Sequence, residues 1–319
     1  MLFASNPAEI DHAARLLRAG RLVAFPTETV YGLGANALAP DAVARIYTVK
    51  RRPATSPLIV HVASIEMART LVAPGEWREI ADRLVQKFWP GPLTLVLPKA
   101  DAIPMNVTAG QPTVGLRMPS HPAALALIRA AGLPLAAPSA NRFTELSPTT
   151  AEHVRQSLNG DVDYVLDGGP CDVGIESTVL SLVEPRPTLL RPGGLSRADI
   201  ESVIGAIGSA DAPAIGAHPA PGMHARHYSP RTALFLVSNG ELPETGRGIY
   251  LQHAHPPIRR GVEVRPMPRS APHYAAQLYG ALHEADDANA DWIAVDLPPD
   301  TPEWEAVYDR LRRAATQRE

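Results

Sequence analysis

Residues 21–37 read RLVAFPTETVYGLGANA. Arg21 to Phe25 is an apolar run with the length and composition of a buried strand, and Pro26 ends it. The PTETVYGLGAN that follows reads as a polar loop of hydroxyls, one acid and glycines. Upstream, Asn6 can cap a helix and Pro7 takes its first position. Ile10, Ala13, Leu16 and Leu17 then recur at helical spacing, and Gly20 closes the segment. Downstream, Pro40 to Val49 repeats a helical pattern. A buried strand set between two helices is the unit of an α/β fold.

The alternation continues in both directions from this unit. Leu58 to Val62 (LIVHV), Leu93 to Leu97 (LTLVL) and Thr113 to Met118 (TVGLRM) read as strands, with helical patterns over 64–72, 76–88 and 121–131. The 121–131 helix leads to the short PLAAPSAN segment, in which PSAN follows a short strand, and Asp163 to Leu166, Ser177 to Val183 and Thr188 to Arg191 are further strands before a helix from Arg197 to Ile204. The spacing predicts a mixed sheet over residues 1–205. From 206 to 230 the chain turns to Gly, Ala and Pro without an apolar period, the texture of a linker. Strands at Ala233 to Val237, Gly248 to Leu251, Val262 to Pro266 and Trp292 to Leu297, with helices over 272–286 and 302–315, predict a second, smaller, Rossmann-like α/β domain over 231–319.

Composition narrows the classes. A chain of 319 residues is long enough for about two domains. Lys plus Arg number 30 against 33 Asp plus Glu, a net charge of −3, which argues against binding nucleic acid through bulk electrostatics. Cys171 is the single cysteine, so neither an intrachain disulfide nor a thiolate zinc site is available, and in GGPCDVG it reads as an inert turn residue. Glu9 and Asp11 interrupt any signal-like core. The most apolar stretch, Ala123 to Ala137, is broken by Arg129, Gly132 and Pro134. A cytoplasmic protein without a membrane association is expected. Of the basic residues only Lys50, Lys87 and Lys99 are lysine, so a compact ammonium is a rare choice in this chain.

No P-loop sequence occurs. Gly32, Gly34 and Ala37 spell G-x-G-x-x-A, but six residues separate them from the strand and 50–58 carries no acid, against a dinucleotide fingerprint. His224 and His227, with His218 nearby, give an H-x-x-H spacing in a Pro/Gly stretch, where exposed linker histidines are a better reading than metal ligands. More informative are the polar groups at strand ends. KRRPATSP sets Lys50, Arg51 and Arg52 where a helix stops and a strand begins, the position at which α/β folds present ligand groups. Arg117, between Leu116 and Met118, demands an anionic partner, either an internal carboxylate or a ligand carboxylate or phosphate. His61 stands alone in LIVHV. PSAN, GIESTVL and LLRPGG add small residues, hydroxyls and Arg191. Together they suggest a concave site for a small anionic ligand and phosphates, without an acid–base dyad.

FPTETVYGLGANA, KRRPATSPLIVHV, FWPGPLTLVL, TVGLRMPSHP, APSAN, SPTTAEHV, GIESTVL and LLRPGG, in this order, resemble the YrdC-type family of L-threonylcarbamoyladenylate synthases over residues 8–205. HARHYSP and the region after it resemble the long form, which carries an extra C-terminal domain. The resemblance implies a twisted mixed-sheet YrdC-like domain. It also implies a reaction in which L-threonine, bicarbonate or CO2, and ATP give threonylcarbamoyl-AMP and pyrophosphate. Downstream tRNA threonylcarbamoyl-transfer proteins then consume the product to build threonylcarbamoyladenosine beside the anticodon, and tRNA itself is a possible partner. By motif, Thr29, His61, Arg117, Ala137 and Ser177 match threonine-binding positions. Arg52, Ser56, Thr113, Ser139, Ser147, Arg191 and Tyr228 match ATP-binding positions, and Lys50, with Arg52, falls where the family faces the reacting phosphates. Magnesium is expected to arrive with ATP, with no dedicated metal ligands and no tightly bound cofactor, and the linker with Tyr228 is expected to fold over the nucleotide. A hydrogenase-maturation carbamoyl-transfer module shares this core, but such proteins carry Cys-rich zinc segments absent from this chain. An RNA-binding module of the same fold without adenylyl transfer is the rival of a different class.

Overall fold

The computed structural model describes residues 6–210 and 228–315. Ten strands form the larger sheet: β1 (Val23–Phe25), β2 (Gly32–Asn36), β3 (Ile59–His61), β4 (Leu93–Pro98), β5 (Thr113–Arg117), β6 (Leu135–Ala136), β7 (Tyr164–Val165), β8 (Thr178–Ser181), β9 (Thr188–Arg191) and β10 (Gly208–Ser209). Their spatial order is β10-β9-β8-β4-β5-β3-β6-β2-β1-β7. The sheet is mixed. β3 runs parallel to β5 and β4 parallel to β8, whereas β4–β5, β3–β6 and β2–β6 are antiparallel.

Helices cover both faces, and the pleat shows why β1 is apolar throughout. Leu22 and Ala24 face one core with α2 (Pro40–Lys50), α4 (Glu79–Phe88) and α6 (Ala151–Leu158), while Val23 and Phe25 face another with α1 (Pro7–Arg18) and α5 (Pro122–Ala131). Asn6 caps α1 as its sequence predicts, its side chain accepting from the Ala8 N–H at 3.0 Å.

Two elements depart from the sequence reading. GLGAN is a strand rather than part of a loop, pairing with β1 and β6. Gly34 is needed for close approach, since a Cβ there would lie 2.7 Å from the Phe25 ring. Gly32 and Gly34 thus sit inside a strand and not on a strand-to-helix turn, which removes the structural context of a dinucleotide fingerprint. β10, within the segment read as linker, pairs with β9 as a two-residue edge too short to carry an apolar period.

The second domain is a four-stranded parallel sheet of β11 (Ala233–Val237), β12 (Gly248–Gln252), β13 (Glu263–Pro266) and β14 (Trp292–Asp296), ordered β11-β14-β12-β13. Leu234, Ile249, Leu251, Ile293 and Val295 pack against α8 (Ala271–Asp287) and α9 (Glu305–Ala314). That core does not stop at the domain's edge. Val30, Leu146, Ile175 and Tyr228 join it, so the two domains meet over loops of the larger sheet.

Candidate active site

Strand register brings the polar residues together. In β3 and β5, His61 pairs with Arg117, and on its other side His61 pairs with Leu135 of β6, two residues before Ala137. β8 and β9 bring Ser177 and Arg191 to the same region, with Arg191 opposite Val179. One cleft of about 540 Å3, open mouth included, is lined by Thr29, Arg52, His61, Arg117, Ala137, Ser139, Ser177, Arg191 and Tyr228 among others. Three guanidinium groups, of Arg52, Arg117 and Arg191, and one carboxylate, of Glu176, face it.

Arg117 is 4% exposed. Its Nη1 donates to Thr29 Oγ1 at 2.9 Å and its Nε to Gly91 O at 3.3 Å. The internal carboxylate that its burial demands is Glu28, whose Oε1 lies 2.7 Å from Nη2. That contact is ionic but poorly aligned, and neither Nη2 nor Oε1 has a hydrogen-bond partner among the described residues. Thr29 is held by the Thr27 hydroxyl at 2.8 Å, which also donates to Val30 O. His61 stands edge-on to Phe25, ring centroids 6.0 Å apart, and its buried Nδ1 also lacks a partner among the described residues. Burial, and then the Arg117 charge, push the His61 imidazole down to about 3, so it is neutral near pH 7.

The KRR run is sorted by the end of α2. Arg51 takes the left-handed C-cap at φ 52° and points to solvent, while Lys50 and Arg52 turn inward. Arg52 donates to the Ser56 and Pro57 carbonyls at 3.4 and 3.1 Å and lies over Phe143. Burial lowers it to about 10, leaving it charged at neutral pH. Arg191 donates to the Ser177 carbonyl through Nε and Nη2, and the Ser177 hydroxyl meets Thr94 at 2.8 Å. LLRPGG reaches GIEST by close backbone contact: a Cβ on Gly193 would sit 2.4 Å from Glu176 O.

Four sequence-selected residues stand outside the cleft's lining. Lys50 does not face it. Its ammonium donates to Ser139 O at 2.6 Å and to Asn141 O, holding the PSAN loop from beneath. Burial first, and Arg52 next, lower it well below the ordinary lysine range. Ser56 is buried, and its carbonyl accepts from Tyr47 and Arg52. Thr113, at the start of β5, lines a narrow neighbouring pocket that shares Ile59 with the cleft. Ser147 donates to Glu176 Oε1 at 2.6 Å. His218, His224, His227 and the linker's closure over a nucleotide lie outside the described residues.

Sequence reasoning missed Glu28 and Glu176, each a lone acid among hydroxyl and apolar neighbours in PTET and IEST. It also missed Tyr279 and Arg310 of the second domain. Both reach Glu176, Arg310 through Nε at 2.6 Å and Tyr279 through its hydroxyl at 3.2 Å to Oε2. Burial raises the Glu176 carboxyl, but Arg310, Arg191 and the Ser147 hydroxyl outweigh it, and the group stays below the ordinary range.

Comparisons with known proteins follow the same division. A family profile described as telomere recombination (Sua5/YciO/YrdC) matches residues 15–193, and one described as the threonylcarbamoyl-AMP synthase C-terminal domain matches residues 195–316. A threonylcarbamoyl-AMP synthase of Bacillus subtilis is 44% identical, covering 98% of this chain and 94% of its own. The crystal structure of Pyrococcus abyssi Sua5 complexed with L-threonine superposes with a TM-score of 0.89 at 40% identity, covering 97% of this chain and 95% of that one. A shorter threonylcarbamoyl-AMP synthase, from Halorhodospira halophila, is 39% identical over 51% of this chain and 85% of its own.

Proposed function

This chain belongs to the Sua5/YciO/YrdC family, and from that premise we propose that it is a threonylcarbamoyl-AMP synthase, acting as a nucleotidyltransferase on L-threonine, bicarbonate or CO2, and ATP. The observation that carries the proposal is the cleft itself. One cavity gathers a buried arginine ion-paired to Glu28, a neutral histidine and hydroxyls, together with two further arginines.

Those groups suit the two substrates. Arg117 can take the threonine carboxylate through its Nη2 edge, with Thr29 fixing the guanidinium plane. His61 offers a hydrogen-bonding nitrogen without placing a second charge beside the substrate ammonium. Ser177 and Ala137 close the pocket, whose polar groups would be left unsatisfied by an amino acid lacking the hydroxyl. Arg52, Arg191, Ser139 and Tyr228 offer charge and hydrogen bonds to the nucleotide, while Lys50 acts at one remove by holding the Ser139 loop.

In the reaction, the threonine amine adds to CO2 and loses a proton to give a carbamate. A carbamate oxygen attacks the α-phosphorus, the bond from that phosphorus to the bridging oxygen breaks, and pyrophosphate leaves. The attacking oxygen already carries negative charge, so positioning and charge stabilisation are the main demands on the protein. The cleft fits that demand, since its one carboxylate accepts from Ser147, Tyr279 and Arg310 and is poorly placed to serve as a base. Magnesium enters this scheme with ATP as part of the substrate. The mixed-anhydride product needs an acceptor, which on this reading is the anticodon-adjacent adenosine of tRNA, served by separate transfer proteins in the cytoplasm. No helix among the described residues is long and apolar enough to cross a membrane.

Pyrophosphate release from ATP with bicarbonate tests the proposal, comparing L-threonine with L-serine, L-valine and no amino acid. Threonine-dependent release is expected, with Arg117→Ala lowering kcat/KM by about 100-fold or more, the worth of a charged, bidentate contact. Because that change also strips Glu28 of its partner, Arg117→Lys serves as the folded control, keeping the charge but losing the fork. Release that ignores the amino acid would sink the synthase reading.

A further inference from the structure

The carboxylate in the cleft is held from the other domain. Arg310 of α9 is fully buried, and its Nε donates to Glu176 Oε2 at 2.6 Å, while Nη1 meets Asp309 at 2.5 Å. Tyr279 of α8 donates to both Glu176 oxygens at 3.3 and 3.2 Å, and Ser147 completes the set from the first domain. The same guanidinium lies 5.2 Å from the centroid of the Tyr228 ring, against which the Tyr279 ring also packs at 5.9 Å. Tyr228 is itself buried, at a positive φ of 60°, a conformation a bulky residue keeps only when its surroundings enforce it. Two residues that line the cleft, Glu176 and Tyr228, are therefore fixed by one side chain contributed from across the domain boundary.

We infer that Arg310 is a positioning residue for nucleotide binding, neutralising Glu176 and clamping the Tyr228 ring so that the C-terminal domain sets the affinity of the first domain for ATP. The identity of the nucleotide rests on the synthase reading above. The charge logic is direct. ATP and threonine both bring anionic groups into a cleft that already contains a buried carboxylate. With Arg310 in place, Glu176 presents a compensated pair; without it, the same oxygens repel the triphosphate or take up a proton and release Ser147. Arg191 lies in the same charge cluster, so the disturbance reaches a group facing the cleft directly. The Halorhodospira relative, 85% of which lies within a match of 166 residues, is too short to hold a second domain of this size. A relative of that length has no room for the helix that carries this brace.

Equilibrium binding of MgATP by calorimetry, on the full chain without threonine, reads affinity separately from turnover. Arg310→Met is expected to weaken binding about tenfold or more, with KM for ATP rising in proportion and kcat falling by less than about threefold. Combining it with Glu176→Gln removes the charge that Arg310 no longer balances but does not restore the clamp on Tyr228, and affinity is expected to recover by about threefold or more relative to Arg310→Met alone. A folded Arg310→Met protein that binds MgATP within about twofold of the unmodified chain overturns the inference, as does a double variant that binds no better than Arg310→Met. If Arg310→Met does not fold, Arg310→Lys keeps a cation while losing the planar fork over Tyr228. Weakening of about threefold or more supports the clamp, and unchanged affinity overturns it. Pyrophosphate release by the unmodified chain is run alongside. Its absence in a protein that binds MgATP strikes the synthase reading alone.

Discussion

His61 makes stability depend on pH in a way that can be calculated. It is 3% exposed on β3, directly beside Arg117, and both its burial and that neighbour disfavour the imidazolium, placing the folded group at about 3. In the unfolded chain a histidine titrates near 6.5. The folded pKa is depressed, so protons bind preferentially to the unfolded state. The stabilising difference is fully present above about pH 6.5 and is lost as pH falls below it. At about pH 5 the unfolded group is almost wholly protonated and the folded one almost wholly neutral, a difference worth about 2 kcal/mol. That figure is set by the unfolded titration and changes little so long as the folded value lies below about 4. Urea unfolding followed by circular dichroism, from about pH 8 to about pH 5, gives the total loss for the unmodified chain. His153, pushed down to about 4, and the lowered His121, His253 and His283 contribute to it as well. His61→Gln isolates the one residue: whatever its stability at high pH, the variant should lose about 2 kcal/mol less over the same interval. Parallel losses, within about 0.5 kcal/mol, would mean that the folded imidazole is not held neutral, and the uncharged donor assigned to the threonine pocket would go with it.

Two further substitutions test how the loops are held. Gly193→Ala puts a methyl 2.4 Å from Glu176 O and 2.5 Å from Thr178 N, where backbone and not a flexible side chain must yield. A loss of about 1–3 kcal/mol by thermal unfolding is expected, with kcat/KM for pyrophosphate release down by about tenfold. Lys50→Met keeps the aliphatic stem but removes the donor to Ser139 O and Asn141 O, leaving two carbonyls without their cation. Stability should fall by about 1–3 kcal/mol and KM for ATP should rise more than KM for threonine, because the loosened loop carries Ser139. Equal changes in both KM values would place Lys50 elsewhere in the mechanism.

The strands that sequence reading recovered share one property. LIVHV and LTLVL are continuous apolar runs buried on both faces, so their residues alone announce them. GLGAN carries two glycines and no β-branched residue. It is a strand because β1 and β6 flank it and Phe25 needs the space above Gly34, information held by its neighbours. The site divides the same way. His61, Arg117 and Arg191 stood out because a polar side chain among apolar residues at a strand end is costly unless something uses it, whereas Thr29, in a polar loop, was reached only through the family resemblance. Lys50 was legible as unusual but not as to direction. The left-handed cap at Arg51 decides which of three consecutive cations face inward, and the PSAN carbonyls decide what Lys50 meets there.

The electrostatics of the cleft show why the second domain's share stayed hidden. Arg117 is balanced within the first domain by Glu28, 89 positions earlier in the chain. Glu176 is balanced by Arg310, 134 positions later, on a helix whose buried face is otherwise Val307, Leu311 and Ala314. An arginine on an apolar helix face carries the same signal as Arg117 in its apolar strand: a buried charge must have a partner. In a strand the candidate partners are the loops at the sheet's edge, which are few in number. On α9 they are every acid in the chain, and only the packing of the two cores over Val30, Leu146 and Ile175 selects Glu176. The interface and the site are consequently one structure. The apolar contacts that dock the second domain also exclude water from the Arg310–Glu176 pair, and in a low-dielectric setting that pair can govern how an anionic ligand is received.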